Sequence, residues 1–278
     1  MAFLLALLSA LLYGTADFLG GVAARRAPAL SATVMAQGCG LVVVALALPF
    51  FPAARPSVAV ALWGVGAGLT GGIGVALLYY GFAVGRVSVV APVTAVCAIA
   101  IPVVVAFGLG ERPGLLAVTG IAVAIASVAL ISRHEDPGKP QKRDRSIVIA
   151  LASGVAIGAF FVCLARTGSS SGLWPLVIAR ASSTLALAAA ARVAKVPMAI
   201  PRTALLVAAA CGAVDVVANA LYLVAVREGP LGLVATLASL YPASTVLLAR
   251  VVLGERLRPV QSLGLACAAA AIVLIASR

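Results

Sequence analysis

Leu109-Gly110-Glu111-Arg112 closes one long apolar run, and 144 residues further on Leu253-Gly254-Glu255-Arg256 closes another. In a chain so rich in Ala, Val and Leu only the non-aliphatic matches carry weight, and they extend in both directions from this tetrapeptide without a gap. Gly85 falls on Gly229, Ala91 on Ala235, Gly120 on Gly264 and Leu130-Ile131 on Leu274-Ile275, with weaker matches of Ser9 to Ser153 and Gly14 to Gly158. A single offset of this kind identifies an old duplication. It divides the chain into a first repeat over 1–133, a polar linker over 134–146 and a second repeat over 147–278.

Composition identifies the kind of unit that was duplicated. Hydrophobic residues make up 63% of the chain and charged residues 10%, with a mean hydropathy of +1.18, far outside the range of a water-soluble domain. A helix needs about 20 apolar residues to cross the hydrocarbon core. Charged and Pro/Gly-marked breaks leave ten such runs, near 2–22, 31–51, 57–83, 87–109, 114–132, 147–167, 173–193, 203–226, 230–252 and 259–277. Lipid offers no partner for an open sheet edge, and the runs lack the alternating pattern of a membrane barrel. The expected fold is therefore an all-α membrane protein of ten transmembrane helices, with membrane lipid as its first partner. The first run lacks a basic flank and aligns with the sixth, so it reads as a retained helix rather than a signal peptide.

Five helices per repeat is an odd number, so the second copy enters the membrane from the opposite side and the two repeats are inverted, as in many secondary transporters. Basic residues sort unevenly between the two faces. One collects Arg25, Arg26, Arg86, Arg133, Lys139, Lys142, Arg143, Arg145, Arg192, Lys195, Arg202, Arg256 and Arg258, the other only Arg55, Arg112, Arg166, Arg227 and Arg278. The positive-inside rule makes the rich face cytoplasmic and puts both termini outside. The net charge of +12 thus reports membrane orientation, not nucleic-acid binding. His134, the single histidine, lies in the linker without a catalytic partner.

A carboxylate persists inside a bilayer only where it faces a cavity, a partner or a proton. Asp17 lies in the first span and Asp215 near the middle of the eighth. Asp215, Asn219 and Tyr222 stand at i, i+4 and i+7 and so share one helix face. Desolvation favours the neutral acid, which makes either Asp a candidate for proton exchange, whereas a nearby arginine favours the carboxylate. Arg180, in the seventh span, is the expected partner; its repeat counterpart is the neutral Ala36, beside Gln37. Aromatic residues are scarce, so Tyr80, Tyr222, Tyr241, Phe160 and Phe161 stand out as candidate walls of an amphipathic pocket. Pro92, Pro102 and Pro242 fall inside the fourth and ninth spans, where a missing amide donor bends a helix. Glycines of the third span, from Gly64 to Gly74, give it a thin face for close packing. Glu111 and Glu255 oppose the dipole at a helix C-terminus, which points to a capping role or a cross-loop ion pair.

Other classes fare poorly. Cys39, Cys97, Cys163, Cys211 and Cys267 all sit inside spans without a CxxC pair, so neither a disulfide framework nor a metal site is indicated. No cluster of ligands and no nucleophile with its base appears. The expectation is no enzyme, no catalytic residue, no cofactor and no metal.

Ten spans, the fivefold inverted duplication and a Leu-Gly-Glu closing the fourth and ninth spans together resemble the EamA-type branch of the drug/metabolite transporter superfamily. Arg180 matches an arginine often found early in that family's seventh helix. The resemblance covers essentially the whole chain and implies a basket-like bundle with alternating access, its central cavity drawing on helices one, three, four, six, eight and nine. It implies Asp17, Tyr80, Phe161, Asp215, Asn219 and Tyr241 as cavity residues. The chain departs from the family pattern at Tyr13-Gly14, where Trp-Gly is usual, and at Ala98, where a proline is usual.

The combined reading is a multi-pass secondary transporter of the inner or plasma membrane, a monomer or homodimer, carrying a small-molecule substrate. Export of an amino acid or similar amphipathic compound is the leading expectation. The alternative is a proton-coupled exporter of lipophilic cations. Substrate-binding or coupling residues are expected to be Asp17, Tyr80, Phe161, Arg180, Asp215, Asn219, Tyr222 and Tyr241, with Arg180 favouring carboxylate substrates and an isolated Asp favouring cations.

Overall fold

A computed structural model describes residues 1–51, 56–84, 87–131, 143–168, 170–245, 248 and 259–276. Helices account for nearly all of these residues, and none forms a strand. In chain order they are α1 (Ala2–Ala24), α2 (Ala29–Ala47), α3 (Val58–Val84), α4 (Val87–Gly108), α5 (Leu115–Ile131), α6 (Arg143–Ala165), α7 (Trp174–Val193), α8 (Arg202–Glu228), α9 (Leu231–Ala238) and α10 (Pro259–Ala276). Helix is the form in which an apolar segment satisfies its own backbone in lipid. Six of the helices (α1, α3, α6, α7, α8, and α2 with its 3₁₀ extension to Phe50) are long and apolar enough to cross a membrane. The apolar portions of the others are shorter, Leu115–Leu130 and Leu231–Thr245 among them.

The ninth span, expected over 230–252 with a bend at Pro242, is interrupted one turn before that proline. It stops at Ala238, turns through Ser239 and Leu240, and resumes as helix over 241–245. Pro242 has no amide to offer Ala238, so the carbonyl one turn back loses its partner and the chain closes with tighter bonds instead, Leu240 N–H to Leu237 O at 3.1 Å. By contrast α4 runs helically through Pro92 and Pro102.

The duplication is written into the packing. α1 packs on α8 as α6 packs on α3, α2 on α8 as α7 on α3, and α1 on α9 as α6 on α4. α5 and α10 pack on each other, the Ser127 hydroxyl donating to Gly264 O at 2.8 Å. Individual bonds obey the same offset: Ser9 donates to Ala218 O and Ser153 to Gly74 O, both at 2.8 Å. Each of these four residues is the repeat counterpart of another. Gly14 lies against Tyr241 and Thr245, and its counterpart Gly158 against Ala98 and Ile101.

The Leu-Gly-Glu motif has a mechanical explanation in its first copy. Gly110 adopts φ +88°, Gly110 N–H bonds Phe107 O at 3.0 Å and Glu111 N–H bonds Ala106 O at 3.0 Å. This pattern closes a helix C-terminus with a glycine in the left-handed region. The turn delivers Glu111 to the start of α9, where its two carboxylate oxygens accept Leu231 N–H at 2.8 Å and Gly232 N–H at 3.2 Å. Glu111 thus caps a helix of the other repeat, favoured by that helix's positive end. The second copy, Glu255, lies outside the described residues, as do His134 and most of the linker. Glu111→Ala is expected to cost about 2 kcal/mol through two lost charge-assisted bonds, read as a lower thermal midpoint of the detergent-solubilised protein, with Glu111→Gln falling between.

Candidate functional site

The third helix sets the site's depth. A side chain at Gly64 would meet Ile178, one at Gly68 the backbone of Ala179, and one at Gly72 Ser183, so α7 lies directly on this glycine stripe. Gly71 and Gly74 take Phe160 and Ile157 of α6 in the same way. On the far side Gly212 of α8 meets the backbone of Ala36, and Gly40 of α2 leaves room for the stem of Arg180. Arg180 is thereby enclosed by α2, α3 and α8 and is only 6% exposed.

A buried guanidinium must be paired. One terminal nitrogen of Arg180 donates to Gln37 Oε1 and the other to Asp215 Oδ2. Asn219 Nδ2 donates to the same Asp215 oxygen at 3.1 Å and to the Asp215 carbonyl at 2.7 Å. The Tyr13 hydroxyl then donates to Asn219 Oδ1 at 2.7 Å. Four helices, α1, α2, α7 and α8, are tied together by one polar chain through the middle of an apolar bundle.

A cavity of about 60 Å³ lies against this chain. Tyr13, Asp17, Gln37, Phe161, Arg180, Asp215, Asn219 and Tyr241 all line it, together with Gly68, Gly71 and Gly72 of the glycine face. Its walls come from α1, α2, α3, α6, α7 and α8 and from Tyr241 just past the break in α9. The expected contribution of α4 is absent among the described residues, while α2 and α7 join through Gln37 and Arg180.

The sequence-derived candidates divide accordingly. Asp17, Phe161, Arg180, Asp215, Asn219 and Tyr241 meet at the cavity. Tyr222 shares their face but lies deeper and fully buried, its hydroxyl donating to Phe161 O at 3.2 Å and its ring 4.6 Å from that of Phe161. Tyr80 requires correction. It is 40% exposed on the outside of α3, while Tyr79 is buried with its hydroxyl 3.3 Å from Cys211 Sγ. One residue of helix is a turn of 100°, and Tyr79 continues the stripe of Gly64, Gly68 and Gly72 whereas Tyr80 leaves it.

A family model described as the EamA-like transporter family matches residues 1–133 and again residues 144–277. The chain belongs to the EamA-like transporter family. It is accordingly a multi-pass membrane protein and a membrane transporter of the drug/metabolite transporter superfamily, in contact with lipid and carrying small substrates. No curated protein matches it. Among solved structures, a chain described only as the crystal structure of a protein is similar at 19% identity, the likeness spanning 99% of this chain and 96% of that one with a TM-score of 0.76. That likeness supports the fold of this EamA-family chain.

Two residues of the site escaped the sequence reading as participants. Gln37 is neutral and stands next to the position aligned with Arg180, yet a buried amide in an apolar helix needs a partner as surely as an acid does. Tyr13 was legible only as a departure from Trp-Gly. Its role depends on how α1 is registered against α8, which no local pattern reports.

Proposed function

We propose that this EamA-family protein is a secondary transporter that moves a small carboxylate-bearing metabolite, an amino acid or similar amphipathic compound, by alternating access, with export as its direction. The observation that carries the reading is Arg180, a permanent cation set in the wall of a central cavity and held there by one amide and one displaceable carboxylate. A substrate carboxylate offers the fork of Arg180 the same geometry that Asp215 offers. Binding then exchanges one ion pair for another and avoids stripping a bare charge of its partner.

The architecture we infer is ten spans in two inverted five-helix repeats, 1–133 and 147–278, in the inner or plasma membrane. The rich basic face is cytoplasmic and both termini are outside. Support comes from the reciprocal contacts of the two repeats, which give the bundle two equivalent ways to close. The break in α9 beside Tyr241 is a further place where one half can move against the other. Proton coupling and a monomeric or homodimeric state belong to the same proposal.

The alternative, proton-coupled export of lipophilic cations, draws on one observation: Asp17 lines the cavity and its carboxylate has no hydrogen-bond or ion-pair partner among the described residues. The test is flux into proteoliposomes across labelled amino acids, nucleosides and quaternary ammonium dyes, with and without a pH gradient. Saturable amino-acid flux is the expected result. Gradient-driven dye efflux without amino-acid flux would replace the proposal with its alternative.

A further inference from the structure

One charge that the central cavity does not use stands at the end of the bundle where α6 gives way to α7. Arg227 lies in the last turn of α8, about 18 Å along that helix from Asp215 at 1.5 Å per residue, and is half-buried. Its Nη2 donates to Ser171 Oγ at 3.2 Å and to Gly172 O at 3.1 Å, both in the α6–α7 turn. Those are its only hydrogen bonds among the described residues, no carboxylate of these residues pairs with it, and Nε is sealed from solvent without an acceptor. A guanidinium carries a fork of N–H donors and a charge it cannot shed. Arg180 has a carboxylate and an amide on its two terminal nitrogens. Arg227 has only two neutral oxygens.

Packing does not call for this cation. The repeat offset carries Arg227 onto Ala83, Ser171 onto Ala27 and Gly172 onto Pro28, so the equivalent positions at the other end of the bundle hold no polar side chain. A cation in the last turn gains from the helix dipole, but an exposed side chain gains as much, and the dipole does not account for burial without a counter-ion.

The surroundings are those of a lipid headgroup. The chain has two tryptophans, and both are at this end. Trp174 opens α7 with its amide bonded to Ser171 O at 3.1 Å, and Trp63 lies under the exposed Arg166, whose Cζ is 5.8 Å from the ring centroid. Tryptophan collects at headgroup level. Further along α8, Val224, Val217, Ala210 and Leu206 are exposed, spaced by seven, seven and four residues and so aligned on one face. A cation at the head of an exposed apolar stripe matches a molecule with an anionic head and acyl tails, whereas a free anion makes no use of the stripe.

We propose that Arg227, anchored on the α6–α7 turn, is a binding site for the phosphate of an acidic phospholipid whose acyl chains lie along the Val217–Val224 stripe. Nη1 donates to a phosphate oxygen, and the net negative charge of the headgroup supplies the counter-ion that the protein does not. A zwitterionic phospholipid brings its own cation and satisfies Arg227 less well.

The two tryptophans report on the site directly. The full chain is reconstituted in phosphatidylcholine liposomes holding a fixed fraction of brominated phosphatidylglycerol or of brominated phosphatidylcholine, and quenching of tryptophan fluorescence is compared. Basic residues at the opposite end of the bundle lie a membrane thickness away from both tryptophans and do not contribute. The wild type is expected to prefer phosphatidylglycerol about fivefold, the scale of one arginine at an anionic surface. Arg227→Gln is expected to abolish the preference, and Arg166→Gln, which removes an equal but exposed charge from the same end, to keep most of it. Arg227→Lys keeps the charge and loses the fork; it is expected to weaken the preference and provides the readout if Arg227→Gln does not assemble. Equal quenching by the two lipids in the wild type, a preference that survives in every Arg227 variant that assembles, or one lost as fully in Arg166→Gln as in Arg227→Gln overturns the site. Inorganic phosphate, added against chloride at matched ionic strength, is expected to leave the quenching unchanged; reversal by phosphate alone overturns the lipid assignment in favour of a free anion.

Discussion

Replacing Asp215 by leucine is expected to destabilise the protein by about 3–5 kcal/mol and to abolish flux, while the double replacement Arg180→Leu/Asp215→Leu regains most of the stability and none of the flux. The figures follow from what each change leaves behind. Asp215→Leu strands a guanidinium that is 6% exposed and cannot shed its proton, the costly way to break a buried pair. Arg180→Leu alone is expected to cost less, because the Asp215 side chain is 21% exposed at the cavity and keeps its bond from Asn219. Removing both charges replaces the pair by apolar volume, which is often neutral for stability. Asp215→Asn keeps an acceptor for Arg180 and Asn219, so it is expected to assemble normally and still lose substrate-driven flux. Thermal unfolding in detergent, combined with flux in liposomes, reads the two single leucine variants and the double variant against the wild type as a double-mutant cycle. Additive stabilities in the two single variants would show that the charges do not act on each other. Flux in the double variant would remove Arg180 from the transport mechanism.

Much of this architecture was legible because the signals were of long range or of high contrast. A repeat offset survives drift in Ala, Val and Leu because it is counted on Gly, Ser and Glu, and the bonds from Ser9 and Ser153 to counterpart carbonyls show why such positions persist. Asp215 and Asn219 were legible as one face because helical geometry alone places i and i+4 together. The Arg180–Asp215 pair was legible because a lone charge in lipid demands an opposite one. Tyr80 misled for the converse reason. α3 is apolar or small on every side, so it has no polar face to fix its rotation, and only the glycine stripe carries the phase that selects Tyr79. Gln37 and Tyr13 were hidden because a neutral polar residue advertises no charge and its partner is fixed by the register of helices far apart in sequence. The break in α9 was legible in Pro242, whose missing amide bends a helix, whereas hydropathy runs through Ser239, Leu240 and Tyr241 without a sign of it.

The second large effect concerns helix approach rather than charge. A Cβ built on Gly212 falls on the backbone carbonyl of Ala36, and one built on Gly40 lies 3.0 Å from the carbonyl of Gly212. Backbone atoms cannot rotate aside as a side-chain tip can, so a methyl here must push α8 away from α2. Gly212 precedes Asp215 by three residues, one side of the same turn, and Ala36 adjoins Gln37. The contact is therefore what holds the two acceptors of Arg180 in reach of one guanidinium. Gly212→Ala is expected to cost about 1–3 kcal/mol through overpacking and to reduce flux to background, with Gly212→Val worse in both. Gly38, on the same helix as Ala36, supplies the contrast, since a Cβ there meets nothing nearer than the Thr184 methyl at 3.8 Å. There alanine should gain up to about 1 kcal/mol of helix propensity with flux unchanged. Opposite signs at two glycines on facing helices would identify the α2–α8 approach, and not glycine content as such, as the support of the site. Equal and harmless effects at both would mean that the bundle can open at this seam without separating Arg180 from its partners.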